Sequence, residues 1–364
     1  MQDIKITALT KSMLADALEQ NLYWDAKKKV VPFSKPKAKW LLKNERIEND
    51  DVCAILGYEN DELISFIYLV PDYLKTKNGL KKVFWSNRWW VHEKYENSVL
   101  PTYTKTLSLN ATNKQILVRY VGSETIEYYK KQTFTKFGKR NKYIFVFSLD
   151  YHLITNKIKA LKTVSPLLKI TARCSHFSIA VFNKLKIYKS KKSIAYKYLE
   201  TIDDNDWEFI KKHCENDLIP KSKSYLNWQI DNQQYLETST TNKAPYKCLL
   251  SSVSHKIHNR SFLVINKNKT IGFISVLIRD NEFIVRYFLS NQTNYNLCLT
   301  ALMDHFITSK CTYILTDDEV LGKHIKLKFM STYVNIKEQF SLAHDTIDFN
   351  FDGAIMKQQD GYFE

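Results

Sequence analysis

The order in which strand-like and helix-like segments follow one another limits the possible folds of this chain more than any other feature. The first series consists of an apolar hairpin over 52–70, an aromatic strand over 83–92, a helix over 99–110, a buried strand over 115–121 and a helix over 123–132. The same order returns between residues 260 and 329, about 195 residues later. Such a repeat predicts an α/β protein with two tandem domains of one type, each a mixed, mostly antiparallel sheet flanked by helices. The strands over 83–92 and 115–121 should be neighbours in one sheet, and those over 283–289 and 311–316 neighbours in the other.

Charge is distributed unevenly between the two series. The chain carries a net charge of +16, and eleven of its Lys and Arg residues fall between Tyr151 and Leu199, a stretch without Asp or Glu. We therefore predict an N-terminal domain over 1–150, a basic linker over 151–199 and a C-terminal domain over 200–364. A concentrated positive charge favours an anionic partner, such as acidic lipid headgroups, a phosphorylated small molecule or nucleic acid.

Apolar and basic residues interleave over 164–192. This pattern has three interpretations: a linker whose apolar face packs against protein, a peripheral contact with an anionic membrane, and a contact with the RNA backbone. We favour the linker and do not expect nucleic acid as a partner. In every case the lysines should be exposed or face a counter-anion, because like charges at this density repel one another.

Glycine and cysteine usage excludes several classes of protein. The eight glycines are not clustered, whereas the phosphate loops of P-loop NTPases and dinucleotide-binding dehydrogenases need clustered glycines. The six cysteines show no C-x-x-C spacing and are too sparse for a disulfide scaffold.

His255 and His258 lack a nearby third ligand, so we expect no metal site. Without a signal-peptide pattern or about 18 uninterrupted apolar residues, the sequence predicts a cytoplasmic protein.

Two segments of the first series, residues 91–101 and residues 116–134, resemble the Gcn5-related N-acetyltransferase superfamily. The first, VHEKYENSVLP, follows the aromatic strand as the phosphate-binding segment of that family does. Residues 116–134, ILVRYVGSETIEYYKKQTF, resemble the strand and helix that carry the family's N-x-x-A-x-x-x-Y-x-x-x-G-F motif. The residues at its four matching positions are Ser123, Ile126, Tyr129 and Phe134.

The second series resembles the same family over 287–307 and 316–329. The residues at the four corresponding positions are Asp318, Leu321, His324 and Phe329. The resemblance thus covers both halves of the chain. It implies two tandem domains of this superfamily, similar to members found among bacterial surface-polysaccharide genes.

The resemblance implies transfer of an acyl group from acetyl-coenzyme A, or another acyl-coenzyme A, to an amine. The acceptor that it implies is an amino sugar, linked to a nucleotide or a lipid, in surface-polysaccharide biosynthesis. The neutral amine attacks directly, backbone N–H groups polarise the thioester carbonyl, and a base or water removes the proton. The family resemblance implies no metal cofactor, and peripheral attachment to the inner face of the membrane would fit such an acceptor.

Three residues are candidates for proton transfer. Tyr129 occupies the position that protonates the leaving thiolate in the family, and His324 occupies that position in the second copy. His92 is a candidate water-mediated base for the acceptor amine. The residues expected in the acceptor cleft are Trp85, Trp89 and Trp90. The residues expected around the coenzyme are Val91, Asn97, Ser98, Gln292 and Asn294. The competing interpretation is that these side chains pack against the sheet or lie in solvent.

The coenzyme-binding loops depart from the family pattern. The residues at the positions of (Q/R)-x-x-G-x-(G/A) are Glu96, Val99 and Pro101 in the first copy, and Gln292, Tyr295 and Leu297 in the second. Small residues let phosphate approach the backbone at a helix N-terminus, and Glu96 would repel it. These departures favour a second interpretation, a catalytically degenerate binding or scaffold protein. A third is a tRNA-dependent aminoacyl ligase of the peptidoglycan-bridge type, which also uses two domains of this fold.

Overall fold

A computed structural model describes residues 4–25, 27–121, 126, 129, 131–148, 163–236, 246–250, 256–348, 356–357 and 359–363. Its α-helices are α1 (Lys11–Glu19), α2 (Lys35–Leu42), α3 (Leu100–Ala111), α4 (Ser165–Lys191), α5 (Asp204–Lys212), α6 (Lys223–Ile230), α7 (Tyr295–Ser309) and α8 (Glu319–Lys328). Its strands are β1 (Ile4–Thr10), β2 (Val30–Val31), β3 (Val52–Glu59), β4 (Glu62–Thr76), β5 (Gly79–Val91), β6 (Ile116–Val121), β7 (Phe134–Val146), β8 (Ala195–Leu199), β9 (Lys247–Cys248), β10 (Ile257–Asn266), β11 (Lys269–Arg279), β12 (Glu282–Ser290), β13 (Tyr313–Thr316) and β14 (Tyr333–His344).

The chain forms two compact units that each combine segments distant in sequence. Unit 1 comprises residues 1–139, 200–257 and 339–364, and unit 2 comprises residues 140–199 and 258–338. These units do not coincide with the predicted domains, because the segment after residue 200 packs with the N-terminal part of the chain. The described part of the predicted basic linker forms α4 and β8, which belong to unit 2.

The sheet of unit 1 has the strand order β1-β3-β4-β5-β6-β14-β7. Only part of each of the last two strands belongs to this unit: β14 from Gln339 onwards, and β7 up to Lys139. The pairs from β1 to β5 are antiparallel, β5 pairs with β6 in parallel, and β6 pairs antiparallel with β14. The predicted neighbours, the strands over 83–92 and 115–121, are therefore confirmed as adjacent.

The sheet of unit 2 repeats this order of pairings. Its strands follow the order β8-β10-β11-β12-β13-β7, and β7 contributes its residues from Arg140. Strands β11 and β12 are antiparallel, β12 and β13 are parallel, and β13 and β7 are antiparallel. The second pair of predicted neighbours, over 283–289 and 311–316, is also confirmed.

Local capping explains where several helices begin. The Thr10 hydroxyl accepts a hydrogen bond from the backbone N–H of Met13 at 3.3 Å, and α1 starts at the next residue. The Asp318 carboxylate accepts from the N–H of Leu321 at 2.9 Å at the start of α8. Such side chains satisfy N–H groups that lack a partner in the first turn of a helix.

One strand is longer than the sequence suggests. In the sequence, Gly138 favours a break between two short strands, whereas β7 runs unbroken from Phe134 to Val146. The backbone of Gly138 does not adopt a positive φ, so that this glycine makes no turn. Among the helices that the structure describes, none combines the length and the apolar composition needed to cross a bilayer.

Candidate active site

The parallel strands of unit 1 separate partway along their length. Strands β5 and β6 pair through Phe84, Trp85 and Ser86, after which β5 continues to Val91. At the same point β5 contains a β-bulge: Ser86 and Arg88 pair with consecutive residues of β4, and Asn87 between them has no partner there. A bulge leaves backbone polar groups outside the regular ladder and bends the strand. The opening between β5 and β6 therefore begins beside an irregular stretch of backbone.

Helix α3 follows β5 and presents a lysine to the protein interior. The buried residues of α3 are Leu100, Thr104, Lys105 and Ser108. Thr104 and Ser108 satisfy their hydroxyls by donating to carbonyl oxygens of their own helix, at 2.9 Å and 2.7 Å. Lys105 is 2% exposed, and it forms no ion pair with a carboxylate within the part of the chain that the structure describes. A buried ammonium without a counter-ion is unfavourable and calls for an explanation.

Aromatic side chains surround the Lys105 ammonium. Its Nζ donates to the Tyr129 hydroxyl at 3.4 Å and lies 4.9 Å from the centroid of the Tyr129 ring. The centroids of the Phe134 and Trp89 rings lie 5.7 Å and 6.0 Å from the same Nζ. Tyr129 is itself buried and packs edge-on against Phe134 at 5.0 Å. Two of the predicted site residues, Trp89 and Tyr129, thus meet at a lysine that sequence analysis did not select.

Burial changes the protonation of this lysine. Desolvation lowers the pKa of Lys105 from 10.5 to about 8. An amine with such a pKa can both give and accept a proton near neutral pH, as general acid–base catalysis requires. Perturbed groups of this kind cluster at functional sites.

The buried lysine should make the protein less stable than a neutral isostere would. Between pH 8 and 10.5 the unfolded chain binds more protons at this position than the folded chain, so that stability rises with pH in that window. Below pH 8 the full penalty applies, about 3 kcal/mol by linkage. We expect Lys105→Met to raise the free energy of unfolding at pH 7 by roughly 1–3 kcal/mol, and this gain to shrink as the pH rises towards 10.5.

Urea unfolding followed by tryptophan fluorescence measures this effect in unit 1, because all seven tryptophans lie in that unit. Lys77→Met is the matched control, since Lys77 is exposed and its replacement should change stability by no more than about 0.5 kcal/mol. A Lys105→Met variant that is less stable than the wild type at pH 7 would show that the ammonium is stabilised by its surroundings.

The segment between β5 and α3 contains several predicted residues. His92 is exposed, and its Nδ1 accepts from the N–H of Lys94 at 3.2 Å as the cap of a short 3₁₀ helix. Asn97 and Ser98 are exposed, and the Ser98 hydroxyl oxygen accepts from the N–H of Leu100 at 3.1 Å. Val91, half-buried, is the last residue of β5. These residues lie before the N-terminus of α3, where the Ser98 side chain already accepts from the backbone N–H of Leu100.

The three predicted tryptophans lie on different faces of β5. Trp89 packs with the cluster around Tyr129, whereas Trp85 and Trp90 belong to the cluster on the other face. Trp85 is completely buried, and its Nε1 donates to Asp72 at 3.0 Å. The bulge at Asn87 explains the distribution, because one extra residue reverses the alternation of side chains along a strand.

Unit 2 has a comparable opening. Strands β12 and β13 pair from Glu282 to Ile284, and the extra residue of the β11–β12 ladder is Arg286. The predicted Gln292 is exposed in a 3₁₀ turn that precedes α7, and Asn294 caps that helix without a side-chain hydrogen bond. The opening and the helix that follows it thus occupy equivalent positions in both units.

His324 lies on α8 of unit 2, against Tyr295. The two rings are 4.6 Å apart between centroids and tilted by 41°. Neither His324 Nδ1 nor the Tyr295 hydroxyl has a hydrogen-bond partner among the described residues, although both atoms are buried. Burial, together with the nearby Asp318 and Cys298, raises the pKa of Tyr295. Tyr295 therefore stays a neutral phenol, and its ring occupies the space beside His324.

Lys105 was missed because a lysine in an amphipathic helix ordinarily marks the solvent face. Its spacing held the only signal: residues 104, 105 and 108 share one face of α3, and the other members of that face are small and hydroxylated. The residues that the structure describes contain no group of three His, Cys, Asp or Glu side chains that could hold a metal ion.

No model of a known protein family matches the sequence, and no curated protein matches it either. Solved structures do match. A GCN5-related N-acetyltransferase from Kribbella flavida aligns with a TM-score of 0.50 at 10% identity, over 94% of this chain and 72% of its own. A putative acetyltransferase from Pyrococcus horikoshii gives 0.47 at 10% identity, over 98% and 94%. A probable N-acyltransferase from Enterococcus faecalis gives 0.47 at 8% identity, over 94% and 73%.

At 10% identity, the match to the Kribbella flavida structure concerns the fold alone. Both units share three features that agree with this match. Each has an antiparallel ladder, a β-bulge, and a pair of parallel strands that are hydrogen-bonded over only three residue pairs. The chain has the fold of the Gcn5-related N-acetyltransferase superfamily.

Proposed function

We propose that unit 1 transfers an acyl group from acyl-coenzyme A to an amine. The observation that carries this proposal is the pair formed by Lys105 and Tyr129, which lies with Trp89 beside the separating strands of this fold. A solvent-exposed lysine would serve folding better, so that burial of this ammonium points to a use in chemistry.

The proposed reaction begins with the acyl donor in the opening between β5 and β6. The backbone at Asn87, which has no partner in β4, supplies an N–H group to the thioester carbonyl oxygen. Fixed donors of this kind stabilise the negative charge that develops on the oxygen when an amine attacks the carbonyl carbon. The C–N bond forms as the amine adds, and the C–S bond breaks when the tetrahedral species collapses.

Tyr129 and Lys105 handle the proton that the leaving sulfur needs. The Tyr129 hydroxyl protonates the thiolate, because a phenol and a thiol have pKa values close enough for efficient transfer. Lys105, which donates to the same hydroxyl, returns the proton to Tyr129. The acceptor nitrogen loses its proton to water. Water then passes a proton to the neutral amine of Lys105. The overall exchange moves one proton from nitrogen to sulfur.

The acceptor that we propose is an amino sugar carried on a nucleotide or a lipid. Family resemblance supplies this idea, and the aromatic side chains of β5 support it. Trp89, which lies on the Tyr129 face of β5, is only half-buried near the end of the strand, and its aromatic face could stack on a sugar ring. The first tests are free 2-amino sugars and their uridine diphosphate conjugates.

Release of free thiol from acetyl-coenzyme A measures this activity directly. We expect thiol release that depends on the amino sugar, and none with the N-acetylated form of the same sugar, because that form has no amine to attack. Thiol release that is the same with and without every amine tested would contradict the proposal. Isothermal titration with acetyl-coenzyme A alone separates a missing acceptor from a missing donor site.

A second candidate function is a binding protein without catalysis. The observation in its favour is the start of α3, where Pro101 lacks an N–H and Ser98 occupies the N–H of Leu100. Backbone donors for a pyrophosphate are therefore fewer than at an ordinary helix N-terminus. Titration without any heat of binding for acetyl-coenzyme A, up to millimolar concentration, would favour this candidate over the acyltransferase.

A further inference from the structure

Helix α4 of unit 2 has two faces of opposite character. Its buried residues are Ala172, Ile179, Asn183 and Ile187, and this face packs against α7. The Asn183 side chain also donates to the carbonyl of Met330 at 2.8 Å and accepts from its N–H at 2.9 Å. Lys191 forms an ion pair with Asp304 at 2.7 Å. One side of α4 is thus firmly attached to unit 2.

The other face of α4 carries an exposed apolar stripe. Its members are Leu167, Ile170, Cys174, Phe177, Val181, Leu185 and Tyr188, and all are exposed. Leu167, Phe177 and Leu185 are 61%, 70% and 69% exposed. At about 100° per residue these positions fall within one sector of the helix, roughly opposite the buried residues. A stripe of this length on a folded protein marks a surface that meets an apolar partner.

Basic residues border the apolar stripe on both sides. The Lys and Arg residues of α4 and its C-cap are Lys169, Arg173, Lys184, Lys186, Lys189, Lys191 and Lys192, and Asp and Glu are absent from this helix. At the helical period, Lys169, Arg173 and Lys184 lie to one side of the stripe and Lys189 to the other. Long basic side chains beside an apolar face can keep their charges at headgroup level while the apolar residues enter the acyl region.

We propose that the exposed face of α4 docks unit 2 on an anionic phospholipid surface, with the helix lying in the plane of the membrane. Over its 27 residues α4 is about 40 Å long, and a helix with such faces inserts its apolar side about 5–10 Å into the interface. This proposal does not depend on the acyltransferase activity. It assigns the basic, acid-free segment to a lipid surface.

Charge complementarity favours a membrane over a second copy of the chain. Two α4 helices packed through their stripes would bring rows of lysines together with no carboxylate on the helix to pair with them, and like charges in such a contact are unfavourable. An anionic bilayer satisfies the charges and the stripe at once. Nucleic acid would satisfy the charges but would leave the apolar stripe in water.

Co-sedimentation with vesicles tests the proposal on the full chain. We expect binding to vesicles that contain 30% phosphatidylglycerol in phosphatidylcholine, and little binding to pure phosphatidylcholine. Each lysine near such a surface contributes on the order of 1 kcal/mol. The variant K169Q/R173Q/K184Q/K189Q/K192Q should therefore bind at least tenfold more weakly, and 0.5 M salt should weaken the wild type similarly. The variant L167S/F177S/L185S should also lose at least tenfold.

Matched controls change the same chemistry elsewhere on the surface. L22S/L80S/L236S removes three exposed apolar side chains outside α4, and K77Q/K211Q/K212Q/K267Q/K269Q removes five exposed lysines. Both controls should bind vesicles within about twofold of the wild type, apart from the general effect of net charge in the second. Circular dichroism confirms that each variant is folded.

Three results would overturn the proposal. The first is wild-type protein that stays in the supernatant with anionic vesicles at low salt. The second is L167S/F177S/L185S protein that binds them as the wild type does, which would leave only a non-specific charge effect. The third is a wild-type dimer that this variant converts to a monomer without weaker vesicle binding, which would make the stripe a contact between copies of the chain.

Discussion

Replacing Asp72 by alanine should lower the free energy of unfolding of unit 1 by about 3–5 kcal/mol. Asp72 is completely buried on β4 and accepts hydrogen bonds from the guanidinium of Arg46, from Trp85 Nε1 at 3.0 Å and from the Tyr225 hydroxyl at 2.9 Å. Removal of the carboxylate takes away the ion-pair partner of the buried Arg46 guanidinium. It also leaves three further donors, Trp85 Nε1, the Tyr225 hydroxyl and the backbone N–H of Tyr73, without this acceptor. Urea unfolding followed by tryptophan fluorescence measures the loss.

Two comparison variants locate the origin of that loss. Asp72→Asn keeps an acceptor oxygen but not the charge, so that its destabilisation should be smaller than that of Asp72→Ala. Glu62 pairs with Lys29 at 2.7 Å on the surface, where both side chains are more than half exposed, and Glu62→Ala should change stability by less than about 1 kcal/mol. A loss below about 1 kcal/mol in Asp72→Ala would mean that water replaces the carboxylate without penalty.

Tyr129→Phe should lower the turnover of acyl transfer by roughly 10–100-fold in protein that is still folded. Phenylalanine keeps the ring that packs against Phe134, and it loses the hydroxyl that receives the Lys105 donor at 3.4 Å. The effect should fall on kcat, because the proton is transferred only as the thiolate leaves. Steady-state thiol release with the best amine acceptor measures it.

Tyr103→Phe and His324→Ala complete this experiment. Tyr103 is 57% exposed on the same helix as Lys105, so that loss of its hydroxyl should leave turnover unchanged. His324 holds the equivalent position in unit 2, and its replacement should also leave turnover unchanged if unit 1 does the chemistry. Unchanged turnover in Tyr129→Phe together with a large loss in His324→Ala would move the reaction to unit 2.

The order of elements could be predicted from the sequence because it depends on local signals. Apolar runs bounded by turn residues predict the hairpin of β3 and β4, where Asn60 and Asp61 adopt the positive φ that such turns need. Strand neighbours followed from the order, since a strand, a helix and a second strand connect parallel neighbours. Local signals of this kind do not depend on the rest of the chain.

The composition of the units could not be predicted, because it depends on contacts between distant segments. Trp40 on α2 stacks on Trp228 on α6 at 4.1 Å, and nothing in either segment predicts its partner. The bulge at Asn87 is also a tertiary feature, and without it the alternation along β5 assigns Trp85 and Trp89 to one face. The burial of Lys105 could not be predicted either, because it depends on side chains from distant segments, such as Tyr129 and Phe134, that pack against α3.

The interleaved composition of unit 1 sets the time at which this protein can finish folding during its synthesis. Phe363 packs on both Trp228 and Trp40, at 5.4 Å and 6.4 Å, so that the core around α2 is completed by residues translated more than three hundred positions later. A ribosome adds about 5–20 residues per second, and the N-terminal sheet must therefore wait many seconds for its last partners. The last segment of unit 2 ends at residue 338, so that unit 2 is fully synthesised before Phe363 and can acquire its own core first. The N-terminal segment of unit 1 is therefore synthesised first, but the core that it belongs to is completed last.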